Sequence, residues 1–236
     1  RVTGRGIGII DTIHLIEVAK SVEKLAAAGY LSGATLQSLK DWFDAYATWL
    51  TTHEYGLKEK DHGNNHSTWY AAQLAAFAKL AERPELLELC RTQYKKLLTA
   101  QMDEQGGFPD ELERTKPYNY SLFNLEGYAV MAEMASTKTD DLWQFRTPNG
   151  TLQTAIDFML PAIEDKSKWT YPKDIQHFDE LPIQSATLLL AAAAYEAPRY
   201  LDIWRKLPAK RQSKEVDRNF PLRQLYLWQS TVMMDQ

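Results

Sequence analysis

Ser185-Ala186-Thr187-Leu188-Leu189-Leu190-Ala191-Ala192-Ala193-Ala194 carries no charge and is apolar on almost every side. A helix of that composition has no face to offer water, so it belongs in an inner layer covered by other helices. The flanking chain supplies the cover. Leu15, Val18, Val22 and Leu25 recur at one-turn and two-turn spacing, as do Leu36, Leu39, Phe43 and Tyr46, with Leu50 a turn further. Trp69, Ala72, Ala76, Phe77 and Leu80 repeat the stripe, and so do Leu122, Leu125, Ala129 and Ala132. Apolar residues in that rhythm mark helices with one buried side. Further helices are expected over 84–99, 150–164, 182–196 and 221–232. Alternation of period two is nearly absent. The pattern predicts an all-α fold in which antiparallel helix pairs alternate between inner and outer positions, an α/α toroid.

Breakers such as Gly29, Gly33, Gly56, Gly63, Pro109, Pro117, Pro148 and Pro172 separate the helices. Most connections are short, which favours antiparallel neighbours. Three are longer and chemically rich: 53–66, 101–119 and 165–181. Neither a fixed repeat nor a low-complexity linker divides the chain, so residues 1–236 are expected to form a single domain.

Composition narrows the function. A formal net charge of −4 argues against bulk attraction to nucleic acid or an anionic membrane, and leaves an acidic ligand to a locally positive pocket. Cys90 is the only cysteine, which rules out an intrachain disulfide and a thiolate-rich metal cluster, and it reads as a small buried hydrophobe. No apolar run reaches the length of a membrane span. The sequence opens at Arg1 without Met or a signal peptide, which reads as a processed or truncated product. Seven Trp and twelve Tyr suit either an aromatic core or a cleft that stacks sugar rings.

The first chemical constellation is Asp61-His62-Gly63-Asn64-Asn65-His66-Ser67-Thr68-Trp69-Tyr70. Gly63 and the two Asn break structure, and Ser67 is the expected N-cap of the helix that follows. Asn65 and His66 then sit at the positive end of that helix, where an amide and an imidazole suit a bound carboxylate. The plainer reading is a closed, capped turn with His66 exposed. His62 and His66 are spaced as a metal pair only on a continuous helix, which Gly63-Asn64-Asn65 opposes; no metal is expected. The second is Glu111-Leu112-Glu113-Arg114-Thr115-Lys116-Pro117-Tyr118-Asn119-Tyr120. Pro117 ends any preceding helix and a new stripe begins near Tyr120, so two cations and two phenols are displayed together. A cation beside a tyrosine favours the phenolate. Here the plainer reading pairs Arg114 with Glu111 or Glu113 and buries the tyrosines. The third, Trp169, Tyr171, Lys173 and His177, lies in the long connection before the apolar helix. It is either a subsite wall or an irregular loop packing its own rings. Arg205 to Arg211, with four basic residues, is expected to be a solvated face.

Two of these strings, Asn64-Asn65-His66-Ser67-Thr68-Trp69-Tyr70 and Glu111-Leu112-Glu113-Arg114-Thr115, the latter followed by Tyr120-Ser121-Leu122-Phe123-Asn124-Leu125-Glu126, resemble the alginate lyase superfamily of α/α-toroid polysaccharide lyases. The opening Gly4-Arg5-Gly6-Ile7-Gly8-Ile9-Ile10-Asp11-Thr12 is similar to the segment that precedes them in bacterial members. The resemblance runs to about position 200. It implies cleavage of a uronate polymer, alginate or glucuronan, by β-elimination that needs neither metal nor other cofactor. It assigns Asn65, His66 and Arg114 to the substrate carboxylate and Tyr120 to the base and acid, with Tyr118 as the lesser candidate. Asn64, Trp69, Tyr70, Lys116, Tyr118, Trp169, Tyr171 and His177 are then expected to touch the polysaccharide. Family members are usually exported, so a periplasmic or secreted protein is implied. Full members carry more chain before the opening segment, with extra helices and often a lid; by that resemblance the toroid here is expected to be incomplete and to lack some substrate contacts.

Two other readings stay open from the residues themselves. Asp110, Glu111 and Glu113 could supply the opposed carboxylic acids of a glycoside hydrolase. A non-catalytic uronate-binding remnant would use the same pocket without chemistry.

Overall fold

A computed structural model describes residues 4–228 of the chain, and helices make up 67% of the protein with no strand among the described residues. After a 3-10 segment (Gly6–Thr12) come α1 (Leu15–Ala27), α2 (Gly33–Thr52), α3 (Glu54–Lys60), α4 (Asn65–Leu80) and α5 (Pro84–Gln101). Then follow α6 (Pro109–Leu112), α7 (Pro117–Ala135), α8 (Leu152–Glu164), α9 (Ala186–Ala194), α10 (Pro198–Lys206) and α11 (Lys214–Asn219). The all-α expectation holds, and the arrangement is that of an α/α toroid.

Helices α4, α7 and α9 form the inner layer. α4 buries Trp69 through Ala78 without interruption, α7 buries all but two of its nineteen residues, and α9 buries Ala186 to Ala192. Their surfaces are too uniformly apolar to leave a solvent face. α1, α2, α3 and α5 pack on α4, α10 packs on α9, and α7 lies between α4 and α9. The α4–α7 crossing is the most extensive and very close. A Cβ added at Gly127 of α7 would lie 2.9 Å from Thr68 Cγ2 and 3.3 Å from the Trp69 ring. Only glycine permits that approach, and Trp69 exploits it by donating its indole N–H to the Phe123 carbonyl (3.1 Å) and stacking on the Phe123 ring.

Several expected boundaries move. α7 starts at Pro117 rather than near Tyr120, because proline is well suited to the first helical position. The expected helix over 182–196 begins only at Ala186, with an extended lead-in through Pro182 and Ile183. No α-helix forms over 221–228; a 3-10 turn (Leu225–Leu227) is found instead, and 229–232 lie outside the described residues. The shorter helices α3 and α6 lie in stretches expected as connections, and α10 and α11 lie where no element was expected. Arg205 is exposed as expected, whereas Arg211 donates to the carbonyls of Phe220 (3.2 Å) and Leu222 (2.8 Å) and ties the final segment down.

Glu126 lies wholly buried on α7, and neither carboxyl oxygen meets a hydrogen-bond partner. Burial pushes its carboxyl up to about 8 from an ordinary 4.5. Between those values the folded chain keeps a proton that the unfolded chain releases, so stability falls as pH rises, by about 1.4 kcal/mol per pH unit for one group. The contribution is fully present below the unfolded pKa and exhausted above the folded one. Glu126→Gln is expected to flatten this part of the dependence. Urea midpoints of both proteins between pH 5 and pH 8 measure it, and parallel curves would refute the assignment.

Candidate active site

α4 opens at Asn65, with Asn64 as its N-cap: Asn64 Oδ1 accepts the His66 N–H at 3.1 Å. Ser67, the expected cap, sits inside the first turn. Its hydroxyl donates to the Glu59 carbonyl (3.0 Å) and accepts the Gly63 N–H (2.8 Å). Asn64 can cap earlier because Gly63, at φ +99°, turns the chain through a conformation that side chains resist. Gln101, at the end of α5, holds this turn. Its amide donates to the carbonyls of Gly63 (2.8 Å) and Asn64 (3.2 Å), while its oxygen accepts from Asn124 Nδ2 and Tyr128 Oη of α7, both at 2.9 Å.

The second arm of the site is gathered by Glu111, carried on the short helix α6 and 1% exposed. Its Oε1 accepts the Asn65 backbone N–H (2.7 Å), and its Oε2 accepts both Asn65 Nδ2 (2.6 Å) and Arg114 Nη1 (3.0 Å). A carboxylate at a helix N-terminus is favourably placed against the unpaired N–H groups there. Burial raises the Glu111 carboxyl pKa, while the Asn65 and Arg114 donors pull it back down. Arg114 uses the rest of its guanidinium to lie 3.7 Å from the centroid of the Tyr120 ring, a cation–π contact that orients both groups.

His66 completes the cluster. Its Nδ1 lies 2.6 Å from Glu59 Oε1, and its ring stacks on His62 at 4.6 Å between centroids. Asn65, His66, Arg114 and Tyr120 line one pocket with Phe123, Ile10, Asp11 and Ile13, and with Glu215, Arg218 and Asn219 of α11. The donors from the start of α4, the Arg114 loop and the first turn of α7 therefore converge. Arg218 bridges to Asp11 (3.3 Å) and Glu215 (3.1 Å), closing one rim of the pocket. The plainer pairing of Arg114 with Glu111 also holds, so this arginine is anchored and presented to the pocket at once. Among the described residues no group of three or more His, Cys, Asp or Glu is disposed to hold a metal ion.

Several residues expected on a ligand serve elsewhere. Trp69, Tyr70 and Tyr118 are at most 1% exposed and belong to the core. Their polar atoms are satisfied internally, Tyr70 on the Leu50 carbonyl and Tyr118 on that of Ala162. Asn64 is spent on its cap. Lys116 is buried against Glu215 (3.2 Å), just behind the pocket lining. Trp169 packs edge-on against Tyr118 and beside Tyr171, so the 165–181 loop packs its own rings. His177 bonds to Glu180 (2.6 Å) away from the pocket. That loop contributes differently. Asp174 accepts the backbone N–H groups of Tyr118 (2.8 Å) and Asn119 (3.0 Å), capping the helix that bears Tyr120. Glu59, Arg218 and Asn219 had no pattern to single them out, and Asp11 stood only within the opening string; Glu59 is separated from His66 by a turn, and α11 joins the site from a hundred residues downstream.

The family model of alginate lyases matches residues 1–169 of this chain. The chain belongs to the alginate lyase family. Alginate lyases of Pseudomonas aeruginosa are 29% identical over 177 residues, which cover 67% of this chain and 47% of the relative. That of Pseudomonas entomophila is 29% identical over 154 residues, covering 64% of this chain and 41% of the relative. The chain thus spans about half the length of the curated relatives it matches. A crystal structure of an alginate lyase from Bacteroides ovatus superposes with a TM-score of 0.74 at 25% identity, over 93% of this chain and 58% of that one.

Glu111 joins the two arms of the site, which makes it the point to perturb. Glu111→Ala leaves the Asn65 amide and the Arg114 guanidinium without their shared acceptor, and unsatisfied buried donors cost about 1–3 kcal/mol. A fall in thermal midpoint of about 2–12 °C is expected, and an unchanged melt would show that the carboxylate anchors nothing.

Proposed function

We propose that this chain is a polysaccharide lyase that cleaves a uronate polymer, alginate rich in mannuronate or a glucuronan, by β-elimination without a metal. The observation that carries the reading is the convergence of Asn65, His66, Arg114 and Tyr120 on one pocket, with the arginine lying over the phenol ring. Membership of the family and the likeness to a lyase of known structure support it.

In this reading the C6 carboxylate of the sugar is met by Arg114, Asn65 and His66. Removing the C5 proton pushes a second negative charge toward that carboxylate, so donors fixed in advance act most strongly on the transition state. The Tyr120 oxygen takes the C5 proton, the electron pair forms the C4–C5 double bond, and the C4–O4 bond breaks. O4 leaves as a hydroxyl on receiving a proton, which the same tyrosine returns when proton and leaving group share a face. For the C5 epimer the proton lies opposite, and neutral His66 is the base that faces it. A polymer of that charge is met outside the cytoplasm, so we place the protein in the periplasm or beyond, as one domain. No helix of the described residues is long and apolar enough to cross a membrane.

A glycoside hydrolase fits less well. It needs two free carboxylic acids across the bond. Glu111 already holds Asn65 and Arg114, while Asp110 and Glu113 are exposed and absent from the pocket wall.

The deciding assay incubates the full chain with polymannuronate, polyguluronate and glucuronan and follows the ultraviolet absorbance of unsaturated ends. A rise on at least one polymer is expected. Reducing ends without absorbance would indicate hydrolysis, and binding without either product would indicate a non-catalytic protein. Tyr120→Phe is expected to leave the circular dichroism intact and abolish the rise; near-normal turnover would overturn the role given to the phenol. For Arg114→Ala a loss of about 10²–10³ in turnover is expected. A variant that loses only thermal stability would reduce Arg114 to a partner of Glu111.

A further inference from the structure

Glu59 is a carboxylate with almost no access to water, on a helix that contributes nothing else to the pocket. It is 1% exposed; one oxygen lies 2.6 Å from His66 Nδ1, and the other has no hydrogen-bond partner. A buried carboxylate with a single polar contact is costly to maintain, so its one contact calls for a reason. Its place is held from the backbone side as well, since Ser67 donates to the Glu59 carbonyl and thereby ties α3 to the first turn of α4.

We propose that Glu59 is the positioning residue for His66, fixing its ring and its tautomer so that Nε2 alone is presented to the substrate. This rests on the lyase reading of the pocket. The carboxylate accepts from Nδ1, which therefore keeps its proton whether the ring is neutral or charged. Neutral His66 then offers a bare Nε2 to the C5 proton of one epimer. Charged His66 offers an Nε2–H to the carboxylate of the other. With the opposite tautomer, neutral His66 would turn a proton toward the sugar and could not act as base.

Glu59 also sets its carboxylate at bonding distance from the ring. The groups facing the ring from the surrounding elements are His62, stacked on it; Arg114, Tyr120 and Glu111 across the pocket; Asp11 on the opening segment; and Glu215 and Arg218 on α11. Among the carboxylates of the described residues, Glu59 alone holds a ring nitrogen of His66.

The test is Glu59→Gln, which keeps the size and an acceptor for Nδ1–H but removes the charge. Histidine resonances of the full chain are followed by NMR against pH, with His66→Gln to identify the signal. The His66 midpoint is expected to fall by about 1–3 pH units, the range for losing an adjacent opposite charge. The limb of the kcat/KM profile that belongs to His66 should move by the same amount while the Tyr120→Phe variant stays inactive. Glu59→Asp, which restores the charge, should recover part of the shift. An unmoved His66 midpoint in folded Glu59→Gln would overturn the proposal even if the enzyme is a lyase. If Glu59→Gln fails to fold, Glu59→Ala carries the same measurement with the carboxylate removed, and an unchanged His66 midpoint and profile there would equally overturn the proposal. A full chain that forms no unsaturated ends on any of the three polymers would instead remove the lyase reading and leave the His66 midpoint as the judge of the pair.

Discussion

One buried carboxylate holds the two halves of the pocket together. Glu111 accepts the first backbone N–H of α4, the amide of Asn65 and the guanidinium of Arg114. Two of these donors lie on α4 and the third on the loop leading into α7, so the ion pair sets the distance between segments that are far apart in sequence. The cost of burying the charge is offset by several donors at once and by the positive end of a helix, the conditions under which a buried charge is tolerated. Once Arg114 is fixed in this way its flat face has one place to go, over Tyr120. The phenol is thereby oriented through the same anchor as the amide.

Behind that contact stands the packing of α4 on α7. The crossing is closed by Gly127 against Thr68 and by the Trp69–Phe123 stack, so the helix ends that carry Asn65, His66 and Tyr120 have little freedom to separate. Gln101 adds a polar tie across α5, α7 and the turn before α4. The site is consequently built from helix termini on a rigid scaffold, and each terminus has a named side chain holding it.

Much of this was legible in the sequence, for physical reasons that also explain what was not. The apolar faces of α1, α2, α4, α7 and α9 were visible because burial of a helix leaves a period in the residue types. The region 221–228 also carries spaced apolar residues, but Arg223, Gln224 and Tyr226 are exposed and no continuous face is buried, so the spacing did not make an α-helix. The strings around Asn65 and Arg114 were recognised, and their convergence followed. Their aromatic neighbours were over-read. Tyr118 and Tyr120 lie two apart on a helix that starts at Pro117, so they face nearly opposite sides, one into the core and one to the pocket. Placing the helix start at Tyr120 concealed that register. Trp69 and Tyr70 were lost for the same reason, since α4 is covered all round and has no outer face for them to occupy.

Asp174 draws the last consequence. The carboxylate that caps the start of α7 comes from an irregular loop more than fifty residues away, not from the chain entering the helix. The first turn beneath Tyr120 is thus braced from outside, and loop and phenol travel as one body. Remodelling that loop, though it stands clear of the pocket, amounts to moving the hinge pin of the Tyr120 phenol.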